Sequence, residues 1–167
     1  MWFRKSFLSI ALLGVALISV SRGAVAPGDA FPSLAMAGLT GGPLPATEGR
    51  VVLVDFWASW CAPCKASFPA FARLHADYAA RGLVIVAVSV DEKPADYAAF
   101  LKKWQPPFAA LLDGGHKLVG TVQVPGMPTS YLLGRDGRVR FIHPGFHGSA
   151  TEAELRQHIE AVLAEKN

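Results

Sequence analysis

Residues 51–64 read VVLVDFWASWCAPC, and this stretch decides the fold. Its first four residues form a continuous run of β-branched and aliphatic side chains, which is typical of a strand covered on both faces. The run leads to Cys61 and Cys64, the only two cysteines in the sequence. Pro63 stands between them, where the first turn of a helix tolerates a missing N–H. The stretch therefore predicts a buried strand that leads into a helix carrying two cysteines at its start.

The spacing of the two cysteines favours redox chemistry. At a helix N-terminus, Cys61 would meet unpaired N–H groups and the positive end of the helix dipole, and both stabilise a thiolate. Cys64, one turn further along, could resolve a mixed disulfide formed on Cys61. An inert disulfide remains an alternative, although closing so small a loop contributes little stability. A metal site would need more ligands, and the sequence holds no second Cys-x-x-Cys pair.

Composition limits the remaining possibilities. The chain has 167 residues, half of them hydrophobic, which is enough for one domain with a sizeable core. The net charge of +3 comes from three basic residues within the first 22 positions, and the remainder balances thirteen basic against thirteen acidic residues. No basic stripe is present, so nucleic-acid binding is not expected. The five histidines are scattered without ligand spacing, and neither a metal nor another cofactor is expected.

Residues 1–26 have the pattern of a targeting segment. Arg4 and Lys5 form a short positive region, residues 7–20 are mostly apolar, and residues 24–26 read Ala-Val-Ala, the small-x-small form of a cleavage site. Pro27 directly after that site should hinder cleavage, so a retained N-terminal anchor is the alternative. Either way, residues 27–167 are expected to form one domain outside the cytoplasm, in the periplasm, with a possible attachment to the inner membrane.

The periodicity of the remaining chain predicts alternating strands and helices. A short edge strand is expected within residues 31–39, and Thr151 with Glu154 suggests a capping box at the start of the last helix. The order predicts an α/β sheet with parallel strands first and an antiparallel edge last. The other predicted elements are strands at 51–56, 83–90 and 108–112, helices at 61–80 and 91–104, a short helical turn or loop at 117–122, and a hairpin of 130–133 with 139–143.

With these motifs the chain resembles thioredoxin-fold proteins, and among them the exported TlpA/ResA-type thiol-disulfide oxidoreductases. The resemblance covers about residues 28–165. It rests on VDFWA at 54–58, WCAPC at 60–64, Pro69, and GMPT at 126–129. It implies a thioredoxin fold, with a central mixed sheet, flanking helices and a TlpA-type helix-strand insertion over residues 91–112.

The resemblance also implies roles for individual residues. Pro128 would be the cis-proline that faces the disulfide, leaving the backbone of Met127 free to pair with an extended substrate segment. Asp55 would lie beneath Cys64 and exchange a proton with its thiol, because burial raises the pKa of a carboxyl towards neutrality. Trp60 and Pro63 would border the substrate surface, whereas Trp57 is expected to serve packing.

The sequence departs from the family pattern at two positions. Many TlpA/ResA-like proteins carry Glu three residues after the second cysteine, where this chain has Ser67. Many also carry Asn where this chain has Asp55. We therefore expect Asp55 to take over proton transfer.

The function implied is that of an exported thiol-disulfide oxidoreductase that reduces protein disulfides, for example in cytochrome c maturation. Its partners would be protein substrates and a membrane-embedded thiol donor. A periplasmic dithiol oxidase and a non-catalytic copper-handling module remain alternatives. A peroxiredoxin-type peroxidase would need a Thr three residues before its cysteine, and Ala58 stands there.

Overall fold

The computed structural model describes residues 23–166. Two 3-10 turns, Leu34–Met36 and Ala79–Arg81, accompany the regular elements. The strands and helices are β1 (Val51–Trp57), α1 (Ala62–Tyr78), β2 (Leu83–Ser89), α2 (Pro94–Trp104), β3 (Ala109–Leu112), α3 (Lys117–Val122), β4 (Thr129–Leu133), β5 (Val139–Pro144) and α4 (Ser149–Leu163).

The strands form one mixed sheet in the order β3-β2-β1-β4-β5. β1 lies at the centre, parallel to β2 and antiparallel to β4, while β3 continues the parallel half and β5 the antiparallel half. All seven residues of β1 are buried, as its unbroken apolar run predicts. The predicted fold class, including the inserted helix α2 and strand β3, is confirmed.

Strand alternation assigns the residues of β1 to two faces of the sheet. Trp57 packs against Phe68 of α1, with ring centroids 4.8 Å apart. Phe56 points to the opposite face and meets Tyr131 of β4 edge-on at 5.9 Å. Asp55 alternates with Phe56, so it shares the face of Trp57 and lies on the side covered by α1.

The inserted helix α2 packs against the same aromatic side chains. Phe100 of α2 lies 4.4 Å from Trp57 and 4.9 Å from Phe68, measured between ring centroids, and stacks on Trp104. The insertion therefore supports the start of α1. Helix α4 is joined to α1 by ion pairs that include Arg73 with Glu152, and such exposed pairs contribute at most about 1 kcal/mol each.

The predicted edge strand within residues 31–39 is wrong. Leu34–Met36 form a 3-10 turn, and the neighbouring chain makes only isolated bridges, from Ala30 to Arg138 and from Thr40 to Leu112. Pro32 lacks the N–H that a strand would need, and Gly38 adopts a positive φ of 71°, which breaks an extended run.

The predicted capping box at the start of α4 is also wrong. The helix begins at Ser149 after Gly148, so Thr151 lies within the first turn. Its Oγ1 accepts a hydrogen bond from the His147 N–H at 2.9 Å. The Thr151 hydroxyl thus binds the segment before the helix, and Glu154 makes its contacts with other elements.

The predicted targeting segment lies mostly outside the described residues, which begin at Gly23. Within residues 23–166, no helix is both long and apolar enough to span a membrane.

Candidate active site

The two cysteines form a disulfide at the start of α1. Their Cα atoms are 5.3 Å apart, and Cys61 is the N-cap residue of the helix. The Cys61 Sγ accepts a hydrogen bond from the Cys64 N–H at 3.2 Å. Cys64 is fully buried, whereas Cys61 retains 5% exposure. Of the two cysteines, only Cys61 therefore reaches the surface.

Asp55 is fully buried on the sheet face beneath α1, the helix whose first turn contains Cys64. Its Oδ1 accepts a hydrogen bond from the Ser130 Oγ at 2.6 Å. Its Oδ2 has no hydrogen-bond partner within residues 23–166. Burial raises the pKa of Asp55 to about 8, and the Ser130 hydrogen bond lowers it only in part. The carboxyl group can therefore gain or lose a proton near neutral pH.

The Met127–Pro128 peptide bond is cis. Thr129, the next residue, pairs with Phe56 of β1, so the cis peptide lies at the carboxyl end of β1, the end from which the chain continues to Cys61. Pro128 is buried and Met127 is half-buried. Within the described chain, the backbone of Met127 makes no hydrogen bond, which leaves its N–H and C=O available.

The two remaining predicted site residues are exposed. Trp60 is 68% exposed and is, with Met36, one of two large hydrophobic side chains on the surface of the described residues. Pro63 is exposed in the first turn of α1. By contrast, Trp57 is fully buried among aromatic rings, which confirms its predicted packing role.

The family's helix carboxylate has no counterpart at Ser67. This serine is buried, and its Oγ donates to the Cys64 C=O at 2.8 Å. A serine in this place braces the first turn of α1 without supplying a proton acceptor, which leaves Asp55 as the carboxylate beneath the helix.

Asp91 also belongs to the site, although its position in the sequence predicted only the start of the helix at 91–104. Its buried carboxylate accepts hydrogen bonds from the Ser59 N–H at 3.1 Å, the Ser59 Oγ at 2.8 Å and the Ser89 Oγ at 2.7 Å. Because Ser59 stands two residues before Cys61, Asp91 fixes the loop between β1 and α1 to the end of β2. The available signal was an acidic residue directly after a buried strand.

Two histidines and one glutamate form a second cluster of polar side chains. His143 on β5 and His158 on α4 place ring nitrogens 3.2 Å apart, and Glu154 lies beside His143. The spacing of the histidines in the sequence shows no ligand pattern, because His143 and His158 are distant in sequence and meet only where α4 packs on the edge strand.

A thioredoxin-like sheet with a Cys-x-x-Cys disulfide at the start of the helix after its central strand defines a thiol-disulfide oxidoreductase. The chain belongs to the AhpC/TSA family, whose sequence profile matches residues 27–142. Within it, the chain is a relative of the ResA-type thiol-disulfide oxidoreductases.

Three known proteins illustrate this relationship. The chain is 28% identical over 160 residues to the thiol-disulfide oxidoreductase ResA of Geobacillus thermodenitrificans, covering 93% of this chain and 90% of that protein. It is 35% identical over 92 residues to ResA of Bacillus cereus, covering 55% of this chain and only about half, 53%, of that protein. A crystal structure assigned as the thiol:disulfide interchange protein DsbE of Chlorobium tepidum matches with a TM-score of 0.77 and 36% identity, covering 84% of this chain and 100% of that one.

Proposed function

We propose that this protein is an exported reductase of protein disulfides that works by dithiol exchange. The observation that carries the proposal is the asymmetry of the cysteine pair, in which Cys61 at the N-terminus of α1 reaches the surface and Cys64 is enclosed. Such an arrangement suits one thiol that meets the substrate and a second that acts only within the protein.

The reaction starts from the reduced protein. The Cys61 thiolate attacks one sulfur of a substrate disulfide, so that a mixed disulfide forms and the other substrate sulfur leaves as a thiolate, which takes up a proton. Cys64 then loses its proton and attacks the Cys61 Sγ. The Cys61–Cys64 disulfide forms, the second substrate thiol is released, and two electrons have passed to the substrate. A donor dithiol returns the protein to its reduced state.

Asp55 is the group we assign to the proton of Cys64. It lies beneath α1, and a pKa of about 8 suits a general base that must also give the proton back. If Asp55→Asn leaves the pH dependence of Cys64 alkylation unchanged, this role fails. Ser67→Ala is the matched control, because Ser67 contacts the Cys64 backbone but offers no carboxylate.

The substrate segment would lie across the carboxyl end of β1. Within the described chain, the backbone N–H and C=O of Met127 make no hydrogen bond, and Pro128 has no backbone N–H. An extended peptide can therefore pair with Met127 as a short added strand. Trp60 and Pro63 would provide the exposed border of the same surface.

The cellular setting rests on the sequence and on the relatives. The targeting pattern of residues 1–26 supports export, and similarity to proteins named ResA and DsbE supports thiol-disulfide chemistry. We place this chemistry outside the cytoplasm, for example in cytochrome c maturation. A membrane-embedded thiol donor would supply the electrons. An oxidase on the same scaffold is the alternative.

The equilibrium reduction potential against glutathione tests the direction of electron flow. A value of about −250 mV or lower supports a reductase, whereas a value of about −120 mV would indicate an oxidase. Insulin reduction with dithiothreitol tests the activity itself. We expect Cys61→Ser to abolish it and Cys64→Ser to accumulate the mixed disulfide. A wild-type protein inactive in this assay would instead indicate a non-catalytic module.

A further inference from the structure

The contact between the edge strand β5 and the last helix α4 brings three potential metal ligands together. The His143 Nε2 lies 3.2 Å from the His158 Nδ1. The Glu154 Oε2 lies 3.8 Å from the His143 Nδ1. One ligand atom from each residue falls within 4.8 Å of the other two. None of the three residues belongs to the proposed thiol site.

The local structure explains why these side chains converge. Glu154 and His158 are four residues apart in α4, so they share one face of the helix. Phe141 and His143 are two residues apart in β5, so they share one face of the sheet. The His158 ring stacks on Phe141 with centroids 3.7 Å apart, which holds the ring in place beside His143. Two ligand positions are therefore set before any ion binds.

The geometry suits a divalent transition metal. A Zn–N bond of about 2.0–2.1 Å with tetrahedral angles separates two ligand nitrogens by about 3.3–3.4 Å. The observed separation of 3.2 Å is close to that value. The side chain of Glu154 is 57% exposed, so its carboxylate is free to rotate towards the same point. Two imidazoles and a carboxylate form a ligand set that binds zinc and its neighbours in the first transition row.

We propose that His143, His158 and Glu154 form a binding site for a divalent transition metal ion of the zinc type, with water completing the coordination. The ion would join the C-terminal helix to the edge strand of the sheet. Without an ion, the two imidazoles share a hydrogen bond. Filling the site would replace that hydrogen bond with two metal–nitrogen bonds and would require the Glu154 carboxylate to rotate.

Isothermal titration with Zn²⁺ tests the proposal on the untagged, oxidised full chain, in which the disulfide keeps both cysteines from binding metal. We expect one ion per chain. His158→Gln and Glu154→Gln should each weaken binding at least about tenfold. The matched control is His147→Gln, which replaces an exposed histidine in the loop before α4 and should leave binding unchanged.

Two spectroscopic readouts complete the test. Co²⁺ should give the intense visible absorption of a four-coordinate site in the wild type, and His158→Gln should lose it. Zn²⁺ should raise the melting temperature of the wild type reversibly with EDTA, and not that of His158→Gln. Absence of Zn²⁺ binding, or equal binding by His158→Gln and the wild type, would overturn the proposal. Because the thiol site takes no part, neither result bears on the proposed reductase activity.

Discussion

The Ser130 hydroxyl donates a 2.6 Å hydrogen bond to the Asp55 Oδ1, and the two residues are direct cross-strand partners on β4 and β1. The other carboxylate oxygen is buried without a partner among the described residues. One hydrogen bond does not replace the water that a carboxylate loses on burial, so the neutral form is favoured and the pKa rises to about 8. The site thus holds a carboxyl group that titrates near the pH at which thiols begin to ionise.

Asp55→Asn should stabilise the oxidised protein at high pH. The pKa of Asp55 is about 8 in the folded state, against 3.8 for an ordinary Asp. Between these values the folded state binds the extra proton, so the free energy of unfolding of the wild type falls as pH rises from about 4 to about 8. Asp55→Asn removes the ionisable group, so the free energy of unfolding of the variant does not fall with pH in this way. It should exceed the wild type by up to about 5 kcal/mol at pH 9 in urea unfolding.

The pH dependence separates this effect from a general gain in packing. Well below pH 3.8 the wild-type carboxyl is neutral in both the folded and the unfolded state, so the two proteins should differ least at the acid end of the range. A stability difference that is the same at pH 5 and pH 9 would contradict the raised pKa.

Ser130→Ala should raise the pKa of Asp55 further, because the hydroxyl hydrogen bond is the interaction that lowers it. Loss of a hydrogen bond to a charged group costs about 1.5–3 kcal/mol, which corresponds to about 1–2 pH units. The midpoint of the pH profile for Cys64 alkylation should move upward by that amount. His143, the cross-strand neighbour of Ser130 on β5, also titrates, so the measurement is repeated in His143→Gln. If Ser130→Ala left the midpoint of the Cys64 alkylation profile unchanged in both the wild-type and the His143→Gln protein, Asp55 would not control the ionisation of Cys64.

Most of the fold could be predicted because its determinants are local. The buried runs of β1 and β2 and the hairpin of β4 with β5 lie within short windows, and each appears in the structure as predicted. The segment before β1 could not be predicted in this way. It is held by backbone bonds to distant elements, such as the Gly28 N–H to the Val139 C=O, and no periodic pattern encodes them.

The site could be predicted only in part for the same reason. Cys61 and Cys64 carry their chemistry in their spacing, and Asp55 is conspicuous as a charge within an apolar strand. Asp91 and His143 acquire their roles from the packing of other elements. A carboxylate that holds a loop 32 residues earlier is marked in the sequence only as an acidic residue after a buried strand. A histidine that meets a helix 15 residues later is not marked by any ligand spacing.

Asp91→Ala should destabilise the protein and disturb the loop before Cys61. The substitution leaves the half-buried donors of Ser59 and the buried hydroxyl of Ser89 without their acceptor, and an unpaired buried donor costs about 1–3 kcal/mol. We expect the free energy of unfolding to fall by about 2–4 kcal/mol, and the alkylation rate of Cys61 in the reduced protein to change. Asp96→Asn on the exposed side of α2 is the control, and it should stay within about 0.5 kcal/mol of the wild type. An unaltered Cys61 rate in a folded Asp91→Ala protein would limit Asp91 to a stabilising role.

Trp60→Ala should weaken the reaction with protein substrates while leaving the dithiol chemistry intact. Trp60 is 68% exposed next to Cys61, so its removal costs the fold little, within about 0.5 kcal/mol. An exposed aromatic ring beside a reactive group is suited to contact a partner, and such contacts carry about 1–2 kcal/mol or more. The second-order rate with a disulfide-bonded protein should therefore fall about 5- to 30-fold, while the rate with dithiothreitol stays near that of the wild type. Met36→Ala is the matched control, because Met36 is the other large exposed hydrophobic residue within residues 23–166 and lies outside the thiol site. If both variants slowed the protein substrate equally, or if Trp60→Ala slowed dithiothreitol as much as protein, Trp60 would not belong to the substrate surface.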